Sequence, residues 1–545
     1  MCVLSILAVG LATAPFALLH AGRLVVLTPG PPLRVWAALL GAALLALLLT
    51  RRGVGERWRN LLLSLALGGL WVSCRAMPLG DAYLWRRHAG DGVVTWSEMG
   101  SSALYALVAR LLGPGAIEWL SPLAGIVATW CWLQVLASLR RAGEPATRIT
   151  VLGDLLVWMG SGVMVTFCFG YVEHTQWGVA PLLLACGSWS RYPHAALPGR
   201  AFAIGASWLG LAAMMHAQYV GLLVAIPLLA LANVPRRGLR AALLDLVSGV
   251  IAVLAVAAGV FGLVWLSGLR IVSGHVHGGA DGQLLMPFGA LLGAEHLTLV
   301  GLVLLFAVPA LAAACLVVLF SLRTALAGVR GGGIELLAAG YVAFVVLMQF
   351  DLGWPQDVDL MVTMSAPLSL LVARLLHHGL DRAHRPIRSA LLLGLFALLF
   401  STWSIAGPLL RPIDAPVAQQ NQPGATLLLT GRDGDQVTLE VRGPAGAPFV
   451  VFEGPPSPGY SGFAYSGRID LRLADKLLDT PKVAAGTLDA QGIATVRYAP
   501  RRDAGGALLA VQAMVSQPVA SQPRASQTSP GPVSVRFSAA VTFDR

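Results

Sequence analysis

Long apolar runs constrain this chain more than any other feature. From Leu246 to Leu266 no charged residue occurs. A helix rises 1.5 Å per residue, so about 20 apolar residues cross the hydrocarbon core of a bilayer. Comparable runs recur up to about residue 410. We read about thirteen membrane spans, at 3–20, 34–50, 59–77, 116–139, 150–169, 175–189, 201–215, 217–233, 245–266, 297–322, 334–349, 358–376 and 389–408. The first lacks a basic leader and reads as a membrane helix rather than a signal peptide.

Composition supports lipid as the solvent. Of 545 residues, 56% are hydrophobic and 12% charged, against about 25% charged in a soluble domain. The net charge of +11 does not point to nucleic acid, because the arginines fall in short clusters between apolar runs. Those clusters are Arg51, Arg52, Arg57, Arg59; Arg140, Arg141, Arg148; Arg191, Arg200; Arg236, Arg237, Arg240; Arg323, Arg330; and Arg374, Arg382, Arg385, Arg388. With thirteen spans all of them fall on one side, the cytoplasm by the positive-inside rule. The N-terminus is then inside, and everything after about Pro412 is outside. The six cysteines, Cys2, Cys74, Cys131, Cys168, Cys186 and Cys315, show neither metal spacing nor a disulfide framework.

Residues 412–545 change character. Short β-rich runs broken by Gly, Pro and Asp-Gly, such as "TLLLTGRDGDQVTLEVRGPAGAPFVVF", predict a β-sandwich. It carries no Cys, His or carboxylate cluster and reads as a structural or binding module. The expected architecture is therefore an all-α polytopic membrane domain over 1–411 and a small all-β extracytoplasmic sandwich over 412–545.

The outer segments collect the polar residues. Asp81 stands just beyond a membrane helix in "PLGDAYLWRRH", and ionisable groups at membrane depth raise a functional hypothesis. In a helix Asp81, Trp85 and His88 share a face, beside Arg86 and Arg87. The carboxylate would take a proton from an acceptor hydroxyl while the cations hold a leaving phosphate; equally, Asp81 caps an interfacial helix and the arginines bind headgroups. Glu98, before the amphipathic segment 101–112, binds substrate or complements a helix dipole. "FGYVEHTQW" places Tyr171, Glu173, His174 and Trp177 together. Adjacent Glu173 and His174 cannot face one another on a helix, so one enters a cavity while the other caps. His275, His277, Asp281, Glu295 and His296 form a weak metal set. Asp351, Asp357 and Asp359 suit sugar hydroxyls, a cation or a solvated helix start.

These features resemble the GT-C superfamily of polytopic glycosyltransferases, in particular its bacterial RgtA/B/C/D-like and mannosyltransferase-like members. The matching stretches are Gly80-Asp81 with Glu98, "FGYVEH" (169–174), "AEHL" (294–297) and "DLGWPQDVDLM" (351–361), within about residues 60–375. Two extra apolar runs precede the first large outer loop, and Ala82 stands where the family commonly has a second acid.

The resemblance implies Asp81 as the general base and a sugar on a polyprenyl phosphate as donor. Glu173 joins Asp81 as a catalytic candidate. Arg86, Arg87, His88, Glu98, Tyr171, His174, His296, Asp357 and Asp359 are candidate substrate-binding residues. We expect inverting transfer on the outer face of a bacterial inner membrane, with no resident cofactor, a divalent cation being the one alternative. The partners are a lipid-linked donor, membrane lipids and a glycan, lipid or protein acceptor, with no nucleic acid. The alternatives are a lipid or glycan flippase, which needs ionisable residues in mid-helix pathways, and a structural protein displaying the β-domain.

Overall fold

The computed structural model describes residues 33–73, 88–140, 147–167, 174–192, 195–272, 285–315, 332–348, 358–382, 391–396, 398–399, 402, 425–433, 436–454, 481–501, 510–518 and 533–537. They form two compact units, one helical and one β, divided after Pro412.

The helices of eight residues or more are α1 (Leu33–Arg51), α2 (Glu56–Ser73), α3 (Met99–Leu112), α4 (Leu120–Leu139), α5 (Arg148–Met159) and α6 (Val179–Arg191). They continue with α7 (Pro198–Met215), α8 (Ala225–Ala232), α9 (Leu239–Leu266), α10 (Ala294–Ala307), α11 (Gly333–Leu347) and α12 (Ala366–Arg382). Local chemistry sets several starts. Thr147 caps α5, its hydroxyl accepting the Thr150 N–H at 3.2 Å. Pro198 opens α7, where a missing N–H costs nothing.

Among the described residues four helical runs are long and apolar enough to cross a membrane: Gly115–Leu139, Ala217–Arg237, Leu239–Leu266 and Leu360–His377. Ala37–Arg51, His296–Ala307 and Gly333–Leu347 are shorter apolar helices. Thirteen spans were expected. Two expected runs are interrupted: 150–169 at Gly160–Ser161, and 297–322 at Val308–Pro309, where proline cannot continue the backbone ladder. The run 3–20 lies outside the described residues.

Large aromatics pack the interior. Trp132 and Trp158 stack at 4.8 Å, and the Trp158 indole N–H donates to Thr129 Oγ1 at 2.8 Å. The Trp71 indole donates to the Met164 carbonyl at 3.2 Å. Where such rings press on a neighbouring helix the facing residue is small. A Cβ at Gly205 would lie 2.2 Å from the Trp189 ring. Helices in lipid associate by close packing of this kind, since lipid removes the hydrophobic force between them.

α9 behaves differently from α4 and the 360–377 run, both largely buried. Its Leu243, Leu244, Val247, Ile251, Leu254, Phe261 and Trp265 are all exposed, at helical spacing. Three residues beyond its end, β2 (Arg270–Val272) pairs in parallel with β1 (Val93–Thr95). The Arg270 N–H donates to the Gly92 carbonyl at 3.0 Å, and the Arg110 guanidinium to the Ser267 carbonyl at 2.8 Å. Val94, Met99, Ala103, Ala106, Val264 and Leu269 close a small core beneath this junction.

The β unit is a two-sheet antiparallel sandwich. One sheet has the order β3 (Thr426–Asp433), β4 (Gln436–Arg442), β7 (Ile493–Tyr498). The other runs β6 (Lys482–Thr487), β5 (Pro448–Gly454), β8 (Ala510–Pro518), β9 (Val533–Phe537). The crossings between sheets are those of a Greek-key sandwich. β4 alternates as a half-buried strand must, with Val437, Leu439 and Val441 inward against Val451, Val511 and Ala513. The turn into β7 needs Gly492 at φ +75°, where a Cβ would also strike the Gly443 carbonyl. Inside, Glu453 is buried beside Tyr498: the phenol and the exposed Arg501 guanidinium both donate to its carboxylate.

Candidate functional site

Two ends of the helical unit can be told apart along α7. Near its start, Asp245 lies against Gly199. At its close, the Ser101 hydroxyl of α3 donates to the Met215 carbonyl at 2.5 Å. The seventeen steps from Gly199 to His216 rise about 25 Å as helix, close to the hydrocarbon thickness.

At the Met215 end a buried acid meets a half-buried histidine. Glu98 precedes α3 in the 3-10 turn Trp96–Glu98 and is 5% exposed. Its carboxylate accepts from Thr95 Oγ1 at 2.8 Å and Ser97 Oγ at 3.3 Å, and faces His216 Nε2 at 3.4 Å. His216 Nδ1 accepts the Gln218 N–H at 3.2 Å. With Nδ1 accepting, the neutral ring carries its proton on Nε2, toward the carboxylate. Ser102 locks the turn by donating to the Glu98 carbonyl at 2.6 Å.

Polar groups from three further segments gather at this end. The 3-10 turns His174–Gly178, Ala217–Val224 and Thr363–Ser365 pack against one another. Gln218 donates to Thr363 Oγ1 at 2.8 Å, and Tyr219 OH to the Thr175 carbonyl at 2.8 Å. Gly178 permits that approach: a Cβ there would sit 2.2 Å from the Tyr219 ring. Four oxygens here, Thr175 Oγ1, Gln176 Oε1, Gln218 Oε1 and Ser365 Oγ, are buried with no hydrogen-bond partner among the described residues. Buried polar atoms ordinarily find a partner in protein, water or ligand. This end therefore offers four buried polar oxygens, two of them hydroxyls that can donate or accept.

The opposite end is a network of ion pairs. Glu56 binds Arg59 at 3.0 Å and also Arg140. Arg140 binds Asp154 at 2.8 Å, and His377 closes on the same carboxylate. Glu335 faces Arg374 at 3.5 Å. Asp245 accepts from Tyr192 OH at 2.6 Å and from Arg237. This corrects the expectation that carboxylates and histidines concentrate away from the arginines. Glu56, Asp154, Asp245, Glu335 and His377 share the arginine end, because a carboxylate buried in an apolar bundle needs a cationic partner to stay ionised.

Of the expected site residues, Asp81, Arg86, Arg87, Tyr171, Glu173 and Asp357 lie outside the described residues, as do Asp351, His275, His277 and Asp281. For His174, Glu295 and Asp359 only the backbone is described; His174 opens the turn beside Thr175, and Asp359 lies in the helix Val358–Val362 leading to Thr363. Trp177, in that same turn, keeps its indole nitrogen buried. His88 is half-buried. Glu98 belongs to the polar end. His296 is buried, with Nε2 engaged by the Val346 carbonyl at 2.8 Å, which ties α10 to α11. His216 is the residue that sequence reasoning missed; its only signal is "HAQY", polar and aromatic residues closing an apolar run.

Among the described residues no group of three or more His, Cys, Asp or Glu is placed to hold a metal ion. No protein-family model and no curated protein matches this sequence.

Proposed function

We propose that this protein is a membrane glycosyltransferase that moves a sugar from a polyprenyl-phosphate donor to an acceptor hydroxyl at the extracytoplasmic face of a bacterial inner membrane. The observation that carries the reading is the Glu98–His216 pair beside the buried oxygens of Thr175, Gln176, Gln218 and Ser365. Buried amide and hydroxyl oxygens at a membrane-helix end suit a hydroxyl-rich ligand, whose O–H groups need hydrogen-bond partners once out of water.

In this reading Asp81 is the base. The acceptor oxygen attacks the anomeric carbon as its proton passes to Asp81. The bond from that carbon to the phosphate oxygen breaks, and its electron pair leaves with the lipid phosphate, inverting the configuration. Arg86, Arg87, His88 and His174 are the groups available to the departing charge, Glu173, Asp357 and Asp359 to sugar hydroxyls. Glu98, held by Thr95 and backed by His216, orients the acceptor.

The test is Asp81→Asn in a deletion strain, read as the cell-envelope glycan profile at matched protein level. General-base loss predicts at least about a 10²-fold fall in transfer. Full restoration of the profile by the variant would remove Asp81 from the mechanism.

A flippase is the second reading, favoured by Asp154, an ionisable group buried within a helix. Reconstituted protein that moves a lipid-linked sugar between leaflets, and loses this with Asp154→Asn but not Asp81→Asn, would establish it instead.

A further inference from the structure

The start of α9 combines two features that no sugar-transfer step uses. The first is charge. Arg236, Arg237 and Arg240 crowd the turn around Gly238. Arg237 is committed to Asp245 and Tyr192. Arg236 and Arg240 are exposed and have no ion-pair partner among the described residues. The second is a greasy stripe that begins on the same helix face. From Arg240 the spacing of three and four reaches Leu243 and Leu244, then Val247, Ile251 and Leu254, all exposed. The stripe ends at Trp265, 73% exposed. From Leu243 to Trp265 a helix rises about 33 Å, which matches a hydrocarbon core of about 30 Å. Trp at that depth is the residue of a membrane interface.

We propose that Arg236 and Arg240 form a binding site for an anionic phospholipid in the leaflet on the arginine side, its acyl chains lying along α9 through Leu244, Val247 and Ile251. Charge complementarity selects the headgroup. Two uncompensated guanidiniums suit a phosphate, which they can grip through parallel N–H donors. The apolar face selects a lipid over a free anion, since it continues without interruption from the cations into the bilayer. The site stands on the arginine side, remote from Glu98 and His216, so it holds whether or not the protein transfers sugar. It supplies what an unpartnered cationic patch at a membrane surface lacks, a fixed negative charge, and would anchor α9 against vertical slippage.

The test uses the full chain in detergent, with lipid retention read by native mass spectrometry and apparent Tm by thermal unfolding. Phosphatidylglycerol should be retained and should raise Tm, phosphatidylcholine much less. Each arginine near a charged membrane surface contributes enough that Arg236→Gln with Arg240→Gln should weaken phosphatidylglycerol retention about 30-fold. Arg51→Gln with Arg52→Gln, at another arginine cluster, should leave retention unchanged. Both residues are exposed, so the fold should survive; Arg236→Lys with Arg240→Lys keeps the charge and should recover most of the retention. Equal retention of the two lipids overturns the proposal, as does undiminished retention in the double glutamine variant. Inorganic phosphate raising Tm as much as the lipid would show a free-anion site and overturn it too.

Discussion

Glu98 and His216 come from the start of one helix and the end of another, yet carboxylate and imidazole face each other at 3.4 Å inside the protein. The Gln218 N–H held by Nδ1 fixes the orientation of the ring beside the carboxylate. Glu98→Gln keeps the shape and removes the charge. Hydrogen bonds to charged groups contribute about 1.5–3 kcal/mol, so transfer should fall roughly 10- to 100-fold while apparent Tm moves little. A large drop in Tm with normal turnover per folded molecule would make the pair a structural clamp.

Asp154 should matter to folding. It is 1% exposed and joined to Arg140 and His377. Removing one member of a buried pair strands the others, at a cost of about 3–5 kcal/mol. Asp154→Ala should lower membrane yield and melting temperature sharply. Asp154→Leu combined with Arg140→Met should recover much of the loss, which thermal unfolding in detergent would reveal.

Gly178→Ala should also destabilise the polar end. The new methyl meets the Tyr219 ring at 2.2 Å, and overpacking of this kind costs about 1–3 kcal/mol. Because Tyr219 holds the Thr175 carbonyl, hydrogen exchange should rise first at residues 174–178. Uniform loosening of the whole helical unit would argue against a local cause.

In the β unit, burial and then the Glu453 carboxylate raise the Tyr498 phenol above its ordinary value. The folded state therefore holds the phenol neutral. The unfolded chain begins to lose that proton near pH 10, so the stabilisation is complete below that pH and disappears as pH rises through the folded value. Proteolysis of the β unit within the intact protein should accelerate above about pH 10. Tyr498→Phe should flatten that rise even if it lowers stability throughout.

Sidedness can be read by labelling. Single cysteines at Arg236 and Ala490, both exposed, should divide across the membrane in intact cells: Ala490→Cys labelled, Arg236→Cys labelled only after permeabilisation. The reverse pattern would move the polar end to the cytoplasm and take the sugar-transfer reading with it.

Features set by local periodicity were legible in the sequence. α9 follows from an apolar run with no competing signal, and β4 from strict alternation through Val437, Leu439 and Val441. Glu98 was singled out as a possible helix-start acid, and it directly precedes α3. Its partner was not legible, because the meeting of Glu98 with His216 depends on α3 docking onto the far end of α7. The 3-10 turn at 217–224 was read as plain span, since its apolar content is that of a helix. Asp154, Asp245 and Glu335 went unassigned for a related reason. A lone acid in an apolar run looks incidental until the arginine that neutralises it arrives from another helix.

The parallel pair of β1 and β2 couples the end of α9 to the turn that holds Glu98. β2 follows the exposed, apolar α9 after three residues, and β1 ends at Thr95, whose hydroxyl donates to Glu98. Any movement of the α9 end relative to α3 must be taken up by this ribbon of three residue pairs, next to the turn that holds Glu98.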